Sequence, residues 1–432
     1  MSKESLSRWM SSQSPFPAFF FSNRLVRNIF SLSVGELGAR AMQVLAIITL
    51  ARRLGNESFG YFVLATTITT YLLLVVQQGL DTIAIRCVSQ KQLELPDVVA
   101  SILGFRLVVA AILTVGVSLY TFIFGLHDAV TVLLLIMSVQ YFTNAFSLRW
   151  PLLAGEKMTA LALASFMSQF CFFLGALLVF DHREAPLAAF AQVAGEVLAS
   201  VYLWWAFSSR YGHVRPRINI FLIGRLLSET WPVFLSLLLS TMMYNFDIIA
   251  LKLMNRTAEI GVYAASYRCI TVFSPFLLAI QSSVYPEFSR AWPDFSRIRR
   301  TAINVSLISF ITFGASGLLL YAFGGPILVL LYGEEYRSGA QYLQVLSWIL
   351  PIQGLRTIPR QIVYAWRQQR VDTGNLAMAA LTNVVFDFLL IPNYGAFGCA
   401  VSSLSAELVF LFASSRSACR VARTSSQAGK AS

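Results

Sequence analysis

The chain has 432 residues, 56% of them hydrophobic and only 12% charged, with a net charge of +12. Soluble globular domains carry about 25% charged residues, so a water-soluble fold is excluded. The positive charge is dispersed over short connectors rather than gathered on one face, which excludes a nucleic-acid-binding surface and leaves no nucleic acid among the expected partners.

A run of about 20 apolar residues spans a bilayer. About twelve such runs occur, at 29–50, 61–80, 102–124, 129–151, 159–180, 187–207, 228–251, 262–285, 302–323, 341–364, 373–391 and 397–415. Lipid offers the backbone no hydrogen-bond partner, so runs this continuous are expected to be helices. The predicted class is an all-α polytopic membrane protein with about 12 transmembrane helices.

Residues 1–28 precede the first span and hold Pro15, Pro17 and the run Phe19–Phe20–Phe21. No small-residue cleavage site follows, so this segment reads as a cytoplasmic tail and not as a signal peptide. It either lies on the membrane through its aromatics or is unstructured. An even number of spans places both termini on one side. The two tails and the even-numbered connectors, with the helix ends that adjoin them, hold 25 of the 33 Lys/Arg. The odd-numbered connectors hold six, and Arg40 and Arg268 fall inside apolar runs. Cytoplasmic loops retain Lys and Arg, so both tails, 1–28 and 416–432, are assigned to the cytoplasm. The longest connector, 208–227, carries Arg210, Arg215, Arg217 and Arg225 at mid-chain. It is expected to join two six-helix lobes, 29–207 and 228–415, around a central cavity.

The two halves read as copies. NESFGYFVLA (56–65) lies on TAEIGVYAAS (257–266), pairing Gly60 with Gly261 and Phe62 with Tyr263 at an offset of 201. Arg149 pairs with Arg360, Ala154 with Ala365 and Glu196 with Glu407 at an offset of 211. Six helices per copy is even, so the copies share an orientation and a substrate would bind between them near the midplane.

Charge inside a span is costly and marks candidate function. Glu36 precedes Arg40 by four residues, the favourable order for a pair on one helical face. The two form either a local ion pair or part of a cationic lumen site. Arg268 has no acid four residues away, so its partner comes from another helix, Asp247 among them, or from substrate. Asp247 and Lys252 are five residues apart, too far round the helix for an ideal pair. Arg149, Arg356 and Arg360 sit near the cytoplasmic ends of spans four and ten, where snorkelling to the interface explains them almost as well. Asp247, Asp387, Glu196 and Glu407 are candidates for ion pairing, proton coupling or plain helix–helix hydrogen bonding. Pro232, Pro275, Pro351 and Pro359, with Gly354 beside Pro351, read either as hinges or as static kinks.

No G-x-x-x-x-G-K-[ST] loop, H-E-x-x-H or G-x-S-x-G motif is present, and the three His (His127, His182, His213) lie in connectors. The five Cys have no metal-like spacing, so neither a metal nor a cofactor is expected. The longest outer connector is read at 324–340, too short to shape an active site around a membrane-embedded substrate. Moving a substrate is therefore expected over catalysis.

Four segments resemble a known family: ARRLGNESFGYFVLAT after span one, EIGVYAASYR (259–268), LLYGEEYRSGA (330–340) and LLIPNYGAFGCAVSSLSAE (389–407). They are similar to the polysaccharide-exporting (Wzx-type) flippases of the multidrug/oligosaccharidyl-lipid/polysaccharide exporter superfamily, over about residues 24–415. The resemblance implies two six-helix lobes around a cavity in the bacterial inner membrane. It implies as cargo an undecaprenyl-pyrophosphate-linked oligosaccharide for O-antigen, capsule or exopolysaccharide, with other polysaccharide assembly proteins as possible partners. In that setting Arg40 and Arg268 are the leading pyrophosphate contacts, with Arg149 and Arg360 at the mouth of the cavity. Two alternatives stand beside it: a multidrug or cation antiporter of the same superfamily, and a membrane glycan polymerase or glycosyltransferase.

Overall fold

A computed structural model describes residues 23–124, 129–291 and 295–431. Most of the expected N-terminal tail and the connector holding His127 lie outside them. Regular structure among the described residues is helical throughout. The helices are α1 (Asn23–Gln77), α2 (Leu80–Ser89), α3 (Leu95–Phe124), α4 (Ala129–Met137), α5 (Val139–Ala145), α6 (Arg149–Ala154), α7 (Met158–Ala176) and α8 (Ala185–Tyr211) in the first half. The second half contains α9 (Ile220–Leu253), α10 (Thr257–Thr271), α11 (Ser274–Ala291), α12 (Phe295–Tyr332), α13 (Ala340–Leu346), α14 (Ile349–Ala365), α15 (Gln369–Tyr394) and α16 (Ala396–Ala431). This is a multi-pass membrane protein. Large apolar side chains such as Phe122, Ile308, Leu381 and Phe412 face outward, as a lipid solvent requires.

Ten stretches among the described residues are long and apolar enough to cross a membrane. The first, Val34–Ser89, covers predicted spans one and two together, and predicted span ten is not among the ten. That segment is broken between α13 and α14 and carries Arg356 and Arg360 on α14. The all-helical polytopic class therefore holds, while the count of twelve remains a reading of the sequence.

Several boundaries differ from the sequence expectation for local reasons. Spans one and two form the single helix α1, interrupted only at Gly55 (φ 72°, ψ 173°). That left-handed value suits glycine, which turns the chain without a separate loop. The outer connector read at 324–340 is mostly helix, because α12 continues through GGPILVLLY to Tyr332 and leaves a short 3₁₀ turn, Glu334–Gly339. Glu334 in that turn accepts from Arg337, which holds its carboxyl below the usual range. The C-terminal tail continues α16.

The prolines fall at defined places relative to the helix ends. Pro275 is the second residue of α11 and Pro351 the third of α14, first-turn positions where a missing N–H goes unnoticed. The helix breaks precede them, at Val272–Phe273 and Ser347–Trp348. Pro232 and Pro359 lie inside α9 and α14 without interrupting them. Gly354 is a packing residue: a Cβ there would lie 2.9 Å from Phe313 and 3.2 Å from the Ser309 carbonyl on α12.

Within the first half, α1 packs on α7 and α7 on α8; within the second, α16 packs on α14 and α15, and α12 on α14. Small residues permit these crossings: a Cβ on Gly195 would overlap the Ser168 carbonyl, and one on Gly175 would overlap Ala191. The chief contact between the halves is α1 crossing α10. There Gly60 and Gly261 face each other, with the buried Phe59, Phe62, Tyr263 and Tyr336 beside them. Each half also uses an arginine following its first span to cap a distant helix. Arg53 donates to the carbonyls of Leu177 and Val179 at 2.6 and 2.7 Å, beyond the end of α7. Arg256 donates to the Pro392 carbonyl at 3.1 Å near the end of α15. A cation at a helix C-terminus offsets its macrodipole.

At the Gly55 end of the bundle, three polar contacts tie the halves together. Arg52 Nε donates to the Leu331 carbonyl at 2.7 Å, and its Nη2 reaches that of Leu330. Tyr336 donates its hydroxyl to the Ala51 carbonyl at 2.9 Å. The Asn56 amide donates to Glu335 at 3.1 Å.

Candidate functional site

A cavity of about 980 Å³ lies between α1, α5–α8 and the α10–α11 break. Its walls bring together Arg40, Arg149, Arg268, Glu36 and Glu196, with Gln43, Thr143, Asn144, Ser165, Ser168, Gln169 and Ser200. Pro275 and Tyr332 complete the wall beside Arg268. Three of the four arginines singled out by sequence thus meet in one space; Arg360 does not.

The expected Glu36–Arg40 pair is not formed. Glu36 pairs instead with Arg149 Nη2 at 2.5 Å, and Ser165 donates to the same Glu36 oxygen at 3.0 Å while accepting from Arg149 Nη1 at 2.8 Å. Three helices converge on that carboxylate, and this cross-helix network outcompetes an i,i+4 contact worth about 0.2–0.5 kcal/mol. Arg149 is therefore held by α1 and α7 rather than snorkelling. Arg40 then makes no ion pair with a described residue and lies exposed on the cavity wall. Arg268 is half-buried, with its guanidinium 5.9 Å from the Phe59 ring centroid. It too makes no ion pair with a described residue. The suggested Asp247–Arg268 pair is not formed, because Asp247 is satisfied elsewhere.

Asp247 on α9 accepts from Asn383 at 3.0 Å, from Ser403 at 2.7 Å and from the Tyr263 hydroxyl. Asp387 on α15 sits beside it, fully buried, and neither carboxylate oxygen finds a hydrogen-bond partner among the described residues. These carboxylates lie in the second half and do not line the cavity.

Arg356 and Glu407 form a buried ion pair at 3.0 Å. Arg356 also donates to Tyr244 at 3.1 Å and stacks 4.2 Å from the Phe410 centroid. Arg360 pairs with Asp372 at 3.1 Å. Neither arginine snorkels and Arg360 does not line this cavity: each has a buried acid on a neighbouring helix.

The repeat read from the sequence accounts for the cavity being lined mostly by first-half residues. Tyr244, Arg356 and Phe410 fill the second-half interior around Glu407. At the offsets of 201 and 211, the first half has Gln43, Ala145 and Ala199 in their places. These smaller side chains leave room around Glu196, the counterpart of Glu407.

Sequence reading missed one intramembrane cation by assigning it to a connector. Arg106 lies on α3, is buried, and pairs with Asp81 at 2.7 Å. The clue was its position inside span 102–124 itself. Among the described residues no group of three or more His, Cys, Asp or Glu could hold a metal ion.

Known proteins agree with this architecture. The chain is 24% identical over 289 residues to a Shigella dysenteriae protein with the provisional name O-antigen transporter, covering 64% of this chain and 70% of that one. Its fold superposes on the lipid II flippase MurJ in an inward closed conformation with a TM-score of 0.75 at 15% identity, covering 91% of this chain and 90% of the other. A multidrug resistance MATE family transporter of the MOP superfamily, in an inward-facing conformation, gives 0.75 at 14% identity, covering 93% and 99%. The signature of the polysaccharide biosynthesis protein family matches residues 25–292, and this chain belongs to that family.

Proposed function

We propose that the protein flips an undecaprenyl-pyrophosphate-linked oligosaccharide across the bacterial inner membrane by alternating access, for surface polysaccharide assembly. The observation that carries this reading is the pair Arg40 and Arg268, two cavity arginines with no carboxylate partner among the described residues. A guanidinium stays charged and binds phosphate oxygens in a bidentate fork, so a pyrophosphate supplies what the cavity lacks. The polyprenyl tail stays in lipid while the head group enters. Both termini face the cytoplasm, the Gly55 end faces outward, and the lobes 29–207 and 228–415 rock about the α1–α10 crossing. Asp247 and Asp387 couple this motion to protons; Glu407 serves as a structural ion-pair partner.

Arg268→Ala is expected to abolish surface glycan in a strain expressing only the variant, with lipid-linked repeat units accumulating in the inner leaflet. Normal glycan display with inserted protein would remove Arg268 from the mechanism. Accumulation of single repeat units on the outer face would support the polymerase. A multidrug antiporter is the second reading, compatible with the MATE-like fold. It is opposed by a cavity with three arginines against two carboxylates, which disfavours cations.

A further inference from the structure

Glu196 stands out among the cavity groups that pyrophosphate binding does not use. It lies on α8, half-buried in the cavity wall. Its hydrogen bond among the described residues is a long one, from Thr143 at 3.4 Å, and it makes no ion pair with a described residue. Its repeat counterpart Glu407 is neutralised by Arg356, and the position matching Arg356 is Ala145. The first half therefore retains the carboxylate but has lost its cation. An ionised carboxylate is acceptor-only and takes up to about four donors. Thr143 fills only part of that capacity, and the rest faces the cavity, where a ligand can supply donors.

The donors are not cationic. Arg40, Arg149 and Arg268 share the same cavity and repel a positively charged ligand. Hydroxyl and acetamido N–H groups of a neutral sugar fit instead. Asn144 and Gln169 line the same cavity, and their amides can add hydrogen bonds, since each side chain both donates and accepts.

We infer that Glu196 is a specificity-determining residue that accepts hydrogen bonds from the sugar adjacent to the diphosphate, while Arg40 and Arg268 hold the diphosphate itself. This rests on the flippase reading. The cavity then has two functional walls: a cationic one on α1 and α10 that holds any prenyl diphosphate, and an acceptor one on α5 and α8 that distinguishes glycosylated from bare carrier.

The test uses the full chain in lipid nanodiscs with two probes, undecaprenyl pyrophosphate and the same lipid bearing one N-acetylhexosamine. The wild type is expected to bind the glycosylated lipid about tenfold more tightly, the scale of one charge-assisted hydrogen bond. Glu196→Gln keeps the shape and removes the charge. It should erase that preference without weakening affinity for bare lipid, since a carboxylate facing a diphosphate is repulsive, and retained binding of bare lipid also shows that the variant is folded. Arg268→Ala should weaken both lipids together. Equal wild-type affinity for the two lipids, or equal loss of both in Glu196→Gln, would overturn the inference and leave the flippase reading intact. Failure of the wild type to bind either lipid would overturn both. Saturable tetraphenylphosphonium binding that disappears in Glu196→Gln would reassign the carboxylate to a cationic ligand and overturn the sugar assignment.

Discussion

Gly60 and Gly261 meet backbone to backbone where α1 crosses α10. A Cβ on Gly60 would lie 3.1 Å from the Gly261 amide nitrogen, and a Cβ on Gly261 would overlap the Asn56 carbonyl oxygen. The two are also counterparts in the internal repeat. Equivalent residues touch only on the axis that relates the copies, so this contact marks the centre of the proposed rocking motion. Gly261→Ala must push the helices apart and should destabilise by about 1–3 kcal/mol, the usual scale for overpacking. Gly60→Ala faces the looser contact and should cost less. Thermal melts of the purified protein followed by tryptophan fluorescence will rank the two; a larger loss for Gly60→Ala would contradict this geometry.

The second-half arginines should behave as structure, not as binding groups. Arg356→Ala strands a buried Glu407 and is expected to cost about 3–5 kcal/mol, whereas the double change Arg356→Met with Glu407→Leu should recover most of that loss. Recovery of surface glycan by the double variant would confirm that the pair serves packing. Glycan still absent from a stably folded double variant would show that Arg356 contacts substrate.

The contacts at the Gly55 end should keep the outward side shut. Tyr336→Phe removes the hydrogen bond to Ala51, and Glu335→Ala removes the one to Asn56. With a reporter cysteine at Gln43, on the cavity wall, both changes together should increase labelling by a membrane-impermeant thiol reagent added outside. Two net hydrogen bonds of about 1 kcal/mol each predict a shift of roughly tenfold or more in the open population. Unchanged labelling would place the outer closure elsewhere.

Asp387→Asn tests coupling. The variant keeps its size but cannot ionise, so flipping of lipid-linked glycan in proteoliposomes should lose its response to an imposed pH gradient. An unaltered response would exclude Asp387 from coupling.

Much of this organisation was legible in the sequence because lipid imposes strong, local rules. Apolar runs of bilayer length and sorted Lys/Arg foretold a polytopic helical protein. The offset of 201 pairs Gly60 with Gly261, and the two touch in the fold. What escaped was decided by helices distant in sequence. Spacing offers Arg40 as one partner for Glu36, but the packing of α7 on α1, with α6 against α7, brings Arg149 and Ser165 to it. Arg106 falls at a predicted helix end beside an even-numbered connector, and its acid, Asp81, lies 25 residues away on α2, where spacing does not reveal it. Pro275 and Pro351 lie within a few residues of helix breaks, whereas Pro232 and Pro359 lie inside continuous helices. Proline is tolerated in a first turn, so Pro275 and Pro351 fall just after interruptions rather than within kinks.

The unbroken stretch of α1 before Gly55 has a mechanical consequence. Arg40 in the cavity and Arg52 at the Gly55 end ride the same helix, twelve residues apart. At 1.5 Å per residue that is a rigid arm of roughly 18 Å. A tilt of about 10° at the ligand end would sweep Arg52 through roughly 3 Å, enough to break its hydrogen bonds to Leu330 and Leu331. In the proposed transport cycle the helix that meets the cargo would itself be the bolt of the far door, with no chain of intermediate residues needed to carry the signal between them.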